Sequence, residues 1–289
     1  MPPEDKKEEY EDGWEKITVT PSTPPDFRTH LNYVKAMKEL SEQLTTKLNR
    51  DISTKSNFNK KVLVKKLNLI KIIKESLEEE YKKALKEKDF AKVCSMWIPV
   101  KSYYLIFNLL LIVCALFNNE EGNLNFPHNK TLSNFRSMLK NGDVSFDKEG
   151  FNKVETCEEA ISFKSKSGDT LRLSVDEQSR INSILKKLCK YKFEDFCRYT
   201  GLRHFQTKIN RKKKEGFFKN SEISLFEFFY WYRIKTNYRD LDFLNQEIYA
   251  DEIVEFYENY YLLTINFYKS LKDLINILSK KRFGEKLLE

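Results

Sequence analysis

Glycine and proline are scarce in this chain, with 8 and 7 residues among 289. Glycine weakens regular structure through its backbone freedom and proline through its missing N–H, so a low content of both favours long helices. The scattered glycines form no phosphate-binding loop and no G-x-S-x-G turn. The P-loop nucleotide hydrolases and the α/β-hydrolases, which depend on these motifs, are therefore excluded.

Metal-ligand and disulfide patterns are also missing. The three histidines, His30, His128 and His204, are far apart in the sequence, and none stands at ligand spacing from a cysteine or another histidine. We therefore predict no metal site and no cofactor. The five cysteines are an odd number without a C-x-x-C pair, which is typical of free thiols in a reducing compartment. They are Cys94, Cys114, Cys157, Cys189 and Cys197.

No stretch reads as a signal peptide or a membrane span. The first fifteen residues are acidic instead of basic and then apolar. Residues 103–117, YYLIFNLLLIVCALF, have Asn108 as their one strongly polar residue, but a spanning helix needs about 20 apolar residues. We predict a central buried helix here, no membrane association and a cytoplasmic protein.

Hydrophobic and basic residues are abundant. The chain is 40% hydrophobic and 14% aromatic, which excludes an intrinsically disordered protein. Its net charge of +8 and pI near 9.0 favour a polyanionic partner such as nucleic acid or an anionic membrane. A solvated, lysine-rich surface without such a partner is the alternative interpretation.

Hydrophobic periodicity predicts a mainly α-helical bundle. Residues 1–25 are predicted to be a disordered acidic tail. Residues 26–140 and 221–289 are predicted to form the N- and C-terminal parts of the bundle, with an insertion at 141–220 between them. The predicted helices, the third with a kink or break at Pro99, are residues 26–50, 59–86, 90–117, 130–140, 176–199, 225–238 and 246–281.

The final predicted helix carries the clearest apolar stripe, in which hydrophobic residues recur every three or four positions from Ile253 to Leu278. A different pattern marks the insertion. In residues 161–175, ISFKSKSGDTLRLSV, apolar and polar residues alternate on both sides of a Gly-Asp pair. Period two around such a turn predicts a small β-hairpin.

A basic segment, RHFQTKINRKKKEGFFK at residues 203–219, contains seven cations and one glutamate. We predict a loop that binds single-stranded nucleic acid, because cations neutralise phosphates and interleaved aromatic rings stack on bases. The alternative is a flexible basic loop whose phenylalanines belong to the core. The predicted contacts are Arg203, Lys208, Arg211, Lys212, Lys213 and Lys214.

Two arrangements suggest chemistry on a phosphate. Arg198 and His204 stand six positions apart, and an Arg–His pair is one way to bind and cleave an RNA backbone. More distinctive is YWYRIKTNYRDLDF at residues 230–243. There Arg233 and Asn237 are four positions apart and share a helix face. Lys235 and Arg239 form a second such pair, predicted to bind nucleic acid. A solvated helix anchored by Trp231 and Tyr238 is the alternative.

Three segments together resemble HEPN domains, the higher eukaryotes and prokaryotes nucleotide-binding family. YYLIFNLLLIVCAL at residues 103–116 is similar to their tyrosine-rich core helix. PHNKTLSNF at 127–135 is similar to the helix that follows, which a His opens and a Phe ends. YRIKTNYRDLDF at 232–243 resembles the start of their late helix, Arg-x-x-x-x-His. The resemblance covers about residues 90–140 and 222–280.

The resemblance implies a helical bundle, often a dimer, that acts on RNA in defence or toxin–antitoxin systems. Active members are metal-independent endoribonucleases. On this pattern Arg233 stabilises charge on the phosphate, and Asn237 and Tyr238 orient the RNA. Tyr238 stands where the pattern has His, and a tyrosine with a pKa of about 10 is a poor general base. The chain is therefore predicted to be an endoribonuclease or a degenerate member that binds RNA.

A second function class is also compatible with the sequence. A helical bundle without catalytic groups can serve as an interaction module, with a protein partner such as an antitoxin bound to its helices. The predicted partners are accordingly RNA or another polyanion, a second copy of the chain, and a protein.

Overall fold

A computed structural model describes residues 27–54, 58–163, 171, 173, 175–202, 204–238 and 250–288. These residues form nine α-helices and four short strands, so the prediction of a mainly α fold is confirmed. The predicted tail, residues 1–25, lies outside the described residues. The helices are α1 Phe27–Leu40, α2 Lys60–Ala84, α3 Lys88–Asn118, α4 His128–Lys140, α5 Cys157–Ser162, α6 Glu177–Thr200, α7 Lys208–Asn220, α8 Phe228–Tyr238 and α9 Ala250–Phe283. The strands are β1 Thr46–Leu48, β2 Val144–Phe146, β3 Glu155–Thr156 and β4 Glu222–Ile223.

Helices α3 and α9 pack along each other at the centre of the fold. Every residue of the predicted α9 stripe is buried, from Ile253 to Leu278, so the periodicity identified the face correctly. The two helices are also joined by polar contacts. Thr264 Oγ1 donates to Ser102 Oγ at 2.7 Å. The buried Arg282 donates to the carbonyls of Leu116 and Phe117 at 2.9 and 2.8 Å, where a cation offsets the negative end of the α3 dipole.

The apolar helix α3 runs unbroken through Pro99, so the predicted break is wrong. Among the described helices, it is the one long and apolar enough to cross a membrane, yet 83% of its most apolar stretch is buried inside the fold. That burial is typical of the core helix of a soluble protein, as the sequence predicted. Helix α3 ends at Asn118, and the left-handed conformation of the next residue, Asn119 (φ 59°), closes its last turn.

The first helix is shorter than predicted. It ends at Leu40 instead of residue 50, and Thr46–Leu48 pair with Val144–Phe146 as antiparallel strands. Gln43, with a φ of 56°, marks the turn between helix and strand. Phe146 then packs against Phe135 and Phe226, with ring centroids 6.5 and 5.1 Å apart. Part of the predicted insertion is thereby tied into the common core.

The predicted β-hairpin is wrong in the described part of residues 161–175. Ile161 and Ser162 are the last residues of α5, and neither Leu173 nor Val175 is in a strand. The reason is a capping box just upstream: Thr156 accepts from the Glu159 N–H while Glu159 accepts from the Thr156 N–H. This pair starts a helix that overrides the alternation of Ile161 and Phe163. The Gly-Asp pair lies outside the described residues.

The predicted basic loop is a helix. Residues Lys208–Asn220 form α7, which begins where the Thr207 side chain accepts from the Asn210 N–H at 3.2 Å. Lysine and arginine are good helix formers, and Gly216 is the single glycine in a segment without proline. Phe217 and Phe218, 9% and 4% exposed, fix the inner face of α7 against Phe193. Local propensity and this apolar anchor together decide the helix.

Candidate functional site

Three tyrosine side chains converge on Arg233, which lies in the middle of α8. Its guanidinium carbon is 4.5 Å from the ring centroid of Tyr103, 5.6 Å from that of Tyr230 and 5.9 Å from that of Tyr104. Arg233 Nη1 also donates to Tyr104 Oη at 3.5 Å. We call Tyr103, Tyr104, His128, Tyr230 and Arg233 the arginine site. It joins α3, α4 and α8, so only the folded chain assembles it.

The charge of Arg233 is held by rings and not by a carboxylate. No acid among the described residues forms an ion pair with it, and its Nε is buried without a hydrogen-bond partner there. A guanidinium over aromatic faces is stabilised by their quadrupoles, and the Nη2 group of Arg233 forms no hydrogen bond with a described residue. The arrangement can therefore accept an anion, and a phosphate matches the forked geometry of the guanidinium.

His128 opens α4 directly after Pro127 and is half-buried beside Tyr103. A hydrogen bond joins Tyr103 Oη to His128 Nδ1, and the Phe107 ring lies 4.4 Å from the imidazole. Burial lowers the pKa of His128, and the charge of Arg233 lowers it further. Burial also raises the pKa of Tyr103 far above its usual value. Near neutral pH the site thus presents a neutral imidazole and a protonated phenol.

Sequence reasoning identified Arg233 but missed its partners. The family resemblance placed His128 at the start of α4 without giving this residue a role. Nothing local in the sequence links His128 to Arg233. Asn237, Tyr238 and Lys235 belong to the last turns of α8, and their side chains lie outside the described part of the chain. Arg239 and Arg203 lie outside it entirely.

The other predicted pair is not assembled. Arg198 is an exposed residue of α6, His204 is exposed in the connection to α7, and no described contact joins their side chains. Among the described residues, no three His, Cys, Asp or Glu side chains come together in a way that could hold a metal ion. All five cysteines are free and buried.

Helix α7 presents a row of cations to solvent. Lys208, Arg211, Lys212 and Lys213 are exposed, and none of them forms an ion pair with a described residue. Lys214 Nζ lies 5.0 Å from the Phe205 ring centroid. Because Phe217 and Phe218 belong to the core, the aromatic stacking predicted for this segment is not available to them. The cations remain as a charged helix face.

A cleft of about 380 Å³ lies between α4, α6, α7 and α8. Its floor is Glu227, 2% exposed, whose carboxylate meets Arg136 Nη1 at 2.5 Å and Lys192 Nζ at 3.6 Å. Trp231 Nε1 donates to the same carboxylate at 3.4 Å. The lining residues are Asn129, Leu132, Arg136, Lys192, Asp195, Phe196, Tyr199, Phe217, Glu227, Tyr230 and Trp231.

The cleft, the arginine site and α7 are neighbours. Tyr230 belongs to the cleft and the arginine site, Asn129 follows His128 in the chain, and Phe217 brings α7 to the cleft wall.

No family model matches the chain, and no curated protein and no solved structure is similar to it at a significant level. The resemblance to HEPN domains accordingly stays a prediction.

Proposed function

We propose that this chain binds single-stranded RNA, with a phosphate at the arginine site and neighbouring phosphates along α7. The observation that carries the proposal is the Arg233 guanidinium, which stands on tyrosine rings without a carboxylate partner among the described residues. A buried or half-buried cation without an acid is costly unless a ligand supplies the counter-charge. The exposed cations of α7, a helix that reaches the adjoining cleft, add further positive charge for neighbouring phosphates.

The same geometry supports metal-independent cleavage of the RNA. A neutral imidazole can accept the proton of a ribose 2′-hydroxyl as its oxygen bonds to the adjacent phosphorus, and can return that proton to the 5′-oxygen as the P–O5′ bond breaks. A guanidinium can stabilise the charge that develops on the phosphate. His128 supplies an imidazole beside Arg233, so the tyrosine at position 238 does not leave the site without a general base. The HEPN assignment, the defence context and the homodimer are part of this proposal.

The α7 cations provide the direct test of RNA binding. Replacing Arg211, Lys212, Lys213 and Lys208 with Gln is expected to flatten the dependence of log K on log salt, by about 0.7 for each lost phosphate contact on a single strand. Fluorescence anisotropy with a labelled single-stranded RNA at several salt concentrations measures this slope.

The matched control replaces four exposed lysines in or just after α2, which changes the net charge equally. These are Lys61, Lys65, Lys82 and Lys86. The control protein is expected to keep the native slope. Equal slopes for all three proteins would remove α7 from the proposal, and an equal loss in both variants would show a diffuse charge effect.

The pH dependence of stability tests the state of His128. Its folded pKa lies below that of the unfolded chain, so below about pH 6.5 the unfolded state binds more protons. The free energy of unfolding should therefore fall as the pH drops through and below that value. His128→Gln should remove this part of the decline, because glutamine does not titrate.

Urea unfolding at intervals between pH 7.5 and 5 measures the effect. The exposed His204→Gln is the control and should follow the native curve. A steeper decline in His128→Gln than in the native protein would contradict the assignment of a neutral imidazole.

The interaction module predicted from the sequence is the remaining candidate. If the native protein binds no RNA at low salt, the RNA proposal fails and protein interaction is the function left to pursue.

A further inference from the structure

We infer that the cleft beside the arginine site is a pocket for one unpaired nucleobase of the bound RNA. This inference rests on the proposed function and names the part of the substrate that the second site takes. Its volume of about 380 Å³ falls in the range of small-molecule sites, roughly 300–1,000 Å³. The cleft is therefore large enough for a base with its sugar and too small for a protein helix.

The lining indicates a flat apolar ligand. Phe196 and Tyr230 are the half-buried aromatic residues of the lining. The core rings of Phe217 and Trp231 support them from behind, with ring centroids 4.8 and 4.9 Å away. Every base has a π-face, so aromatic walls bind bases without requiring one sequence. Asn129 and Asp195 add an amide and a carboxylate at the lining, groups that can hydrogen-bond the polar edge of a base.

The floor of the cleft excludes a phosphate as the occupant. Arg136 and Lys192 are already paired with the buried Glu227, and Lys192 also donates to the backbone carbonyl of Glu222 at 2.5 Å. An anion placed there would meet a carboxylate whose counter-charges are in use. The phosphate therefore goes to Arg233 and the base to the cleft, with the Tyr230 ring shared between them.

Tyr199 is an exposed aromatic residue at the cleft, where its ring can stack on a base. It lines the cleft at the end of α6, yet the residue is 92% exposed. A tyrosine left this exposed contributes little to packing, and its ring is free to cover a base that enters the cleft. Because Tyr199 is exposed, removing its side chain is expected to leave the core intact, which makes it a suitable residue to substitute.

The experiment is a double-mutant cycle in which the protein loses the Tyr199 ring and the RNA loses its bases. Tyr199→Ala and Tyr199→Phe are titrated by fluorescence anisotropy with a five-nucleotide RNA and with the same backbone lacking its bases. Tyr199→Ala should bind the normal RNA roughly 5-fold or more weakly, as expected for one lost base–aromatic stack, with an unchanged salt slope. Tyr199→Phe should stay within about twofold of the native protein because the ring is retained.

On the abasic strand, Tyr199→Ala and the native protein should bind equally, since the contact that differs between them is absent. Exposed Ile72→Ala on α2, which does not line the cleft, should behave as native with both strands. Equal loss on the normal and abasic strands would overturn the inference.

The outcomes separate this inference from the proposed function. If the α7 variant loses affinity but Tyr199→Ala binds the normal RNA like the native protein, the base pocket fails and RNA binding stands. If the native protein binds neither strand at low salt, both fail.

Discussion

Arg233→Ala is expected to lower the rate of single-stranded RNA cleavage in EDTA by about 10²–10³-fold, the usual effect of losing an electrostatic stabiliser of the transition state. Among the described residues, Arg233 is the one cation placed on the Tyr103, Tyr104 and Tyr230 rings, and alanine removes its charge. Gel analysis of end-labelled RNA measures the rate. Circular dichroism verifies that the fold is intact.

Arg233→Lys is the matched variant, because it keeps the charge on the rings but loses the forked donors. It should retain RNA binding while losing most cleavage, since a lysine is a point charge without bidentate geometry. Tyr238→His should raise the rate if position 238 faces the reacting phosphate, by adding an imidazole that titrates near neutrality.

The contrary result is also informative. If the native protein and Tyr238→His both fail to cleave RNA above background, the endoribonuclease half of the proposal is wrong. Arg233→Ala must then still weaken RNA binding in the anisotropy assay. If it does not, the arginine site is not the phosphate site.

Glu227→Gln is expected to destabilise the protein by about 3 kcal/mol, because removing one partner of a buried ion pair leaves the other charges uncompensated. The carboxylate is 3% exposed and faces Arg136 and Lys192, whose side chains are 12% and 21% exposed. Urea unfolding monitored by circular dichroism measures the loss. The exposed Glu215→Gln should change stability by less than about 0.5 kcal/mol.

A double variant isolates the ion pair from the shape of the side chain. Glu227→Gln combined with Arg136→Gln should recover part of the stability, because the unpaired guanidinium is no longer present. If the two losses simply add, the Glu227–Arg136 contact at 2.5 Å contributes no coupling, and the prediction fails.

Helix positions were largely predictable because they depend on local patterns. The α9 stripe, the helix predicted at residues 59–86 and the helix predicted from residue 176 all agree with the structure. Each depends on residues within a few turns of one another. The helix predicted to reach residue 86 ends at Ala84, and Leu85 is 56% exposed.

The strands were not predictable, since their partners are remote. Thr46–Leu48 pair with Val144–Phe146, and Glu155–Thr156 with Glu222–Ile223. Strands of two or three residues carry too little alternation to be recognised. The hairpin predicted at residues 161–175 rested on a longer alternating pattern, which the capping box of Thr156 and Glu159 overrides.

The sequence by itself determined a basic, mainly helical chain, the central apolar helix α3, and Arg233 as the residue to examine. These follow from composition and from spacing along single helices, which local physics controls. Tertiary structure alone decided that Tyr103 contacts both His128 and Arg233, that the phenylalanines of α7 lie in the core, and that a cleft opens over Glu227. Those features join residues up to 130 positions apart, such as Tyr103 and Arg233, and only the packing of α3, α4, α6 and α8 brings such residues into contact.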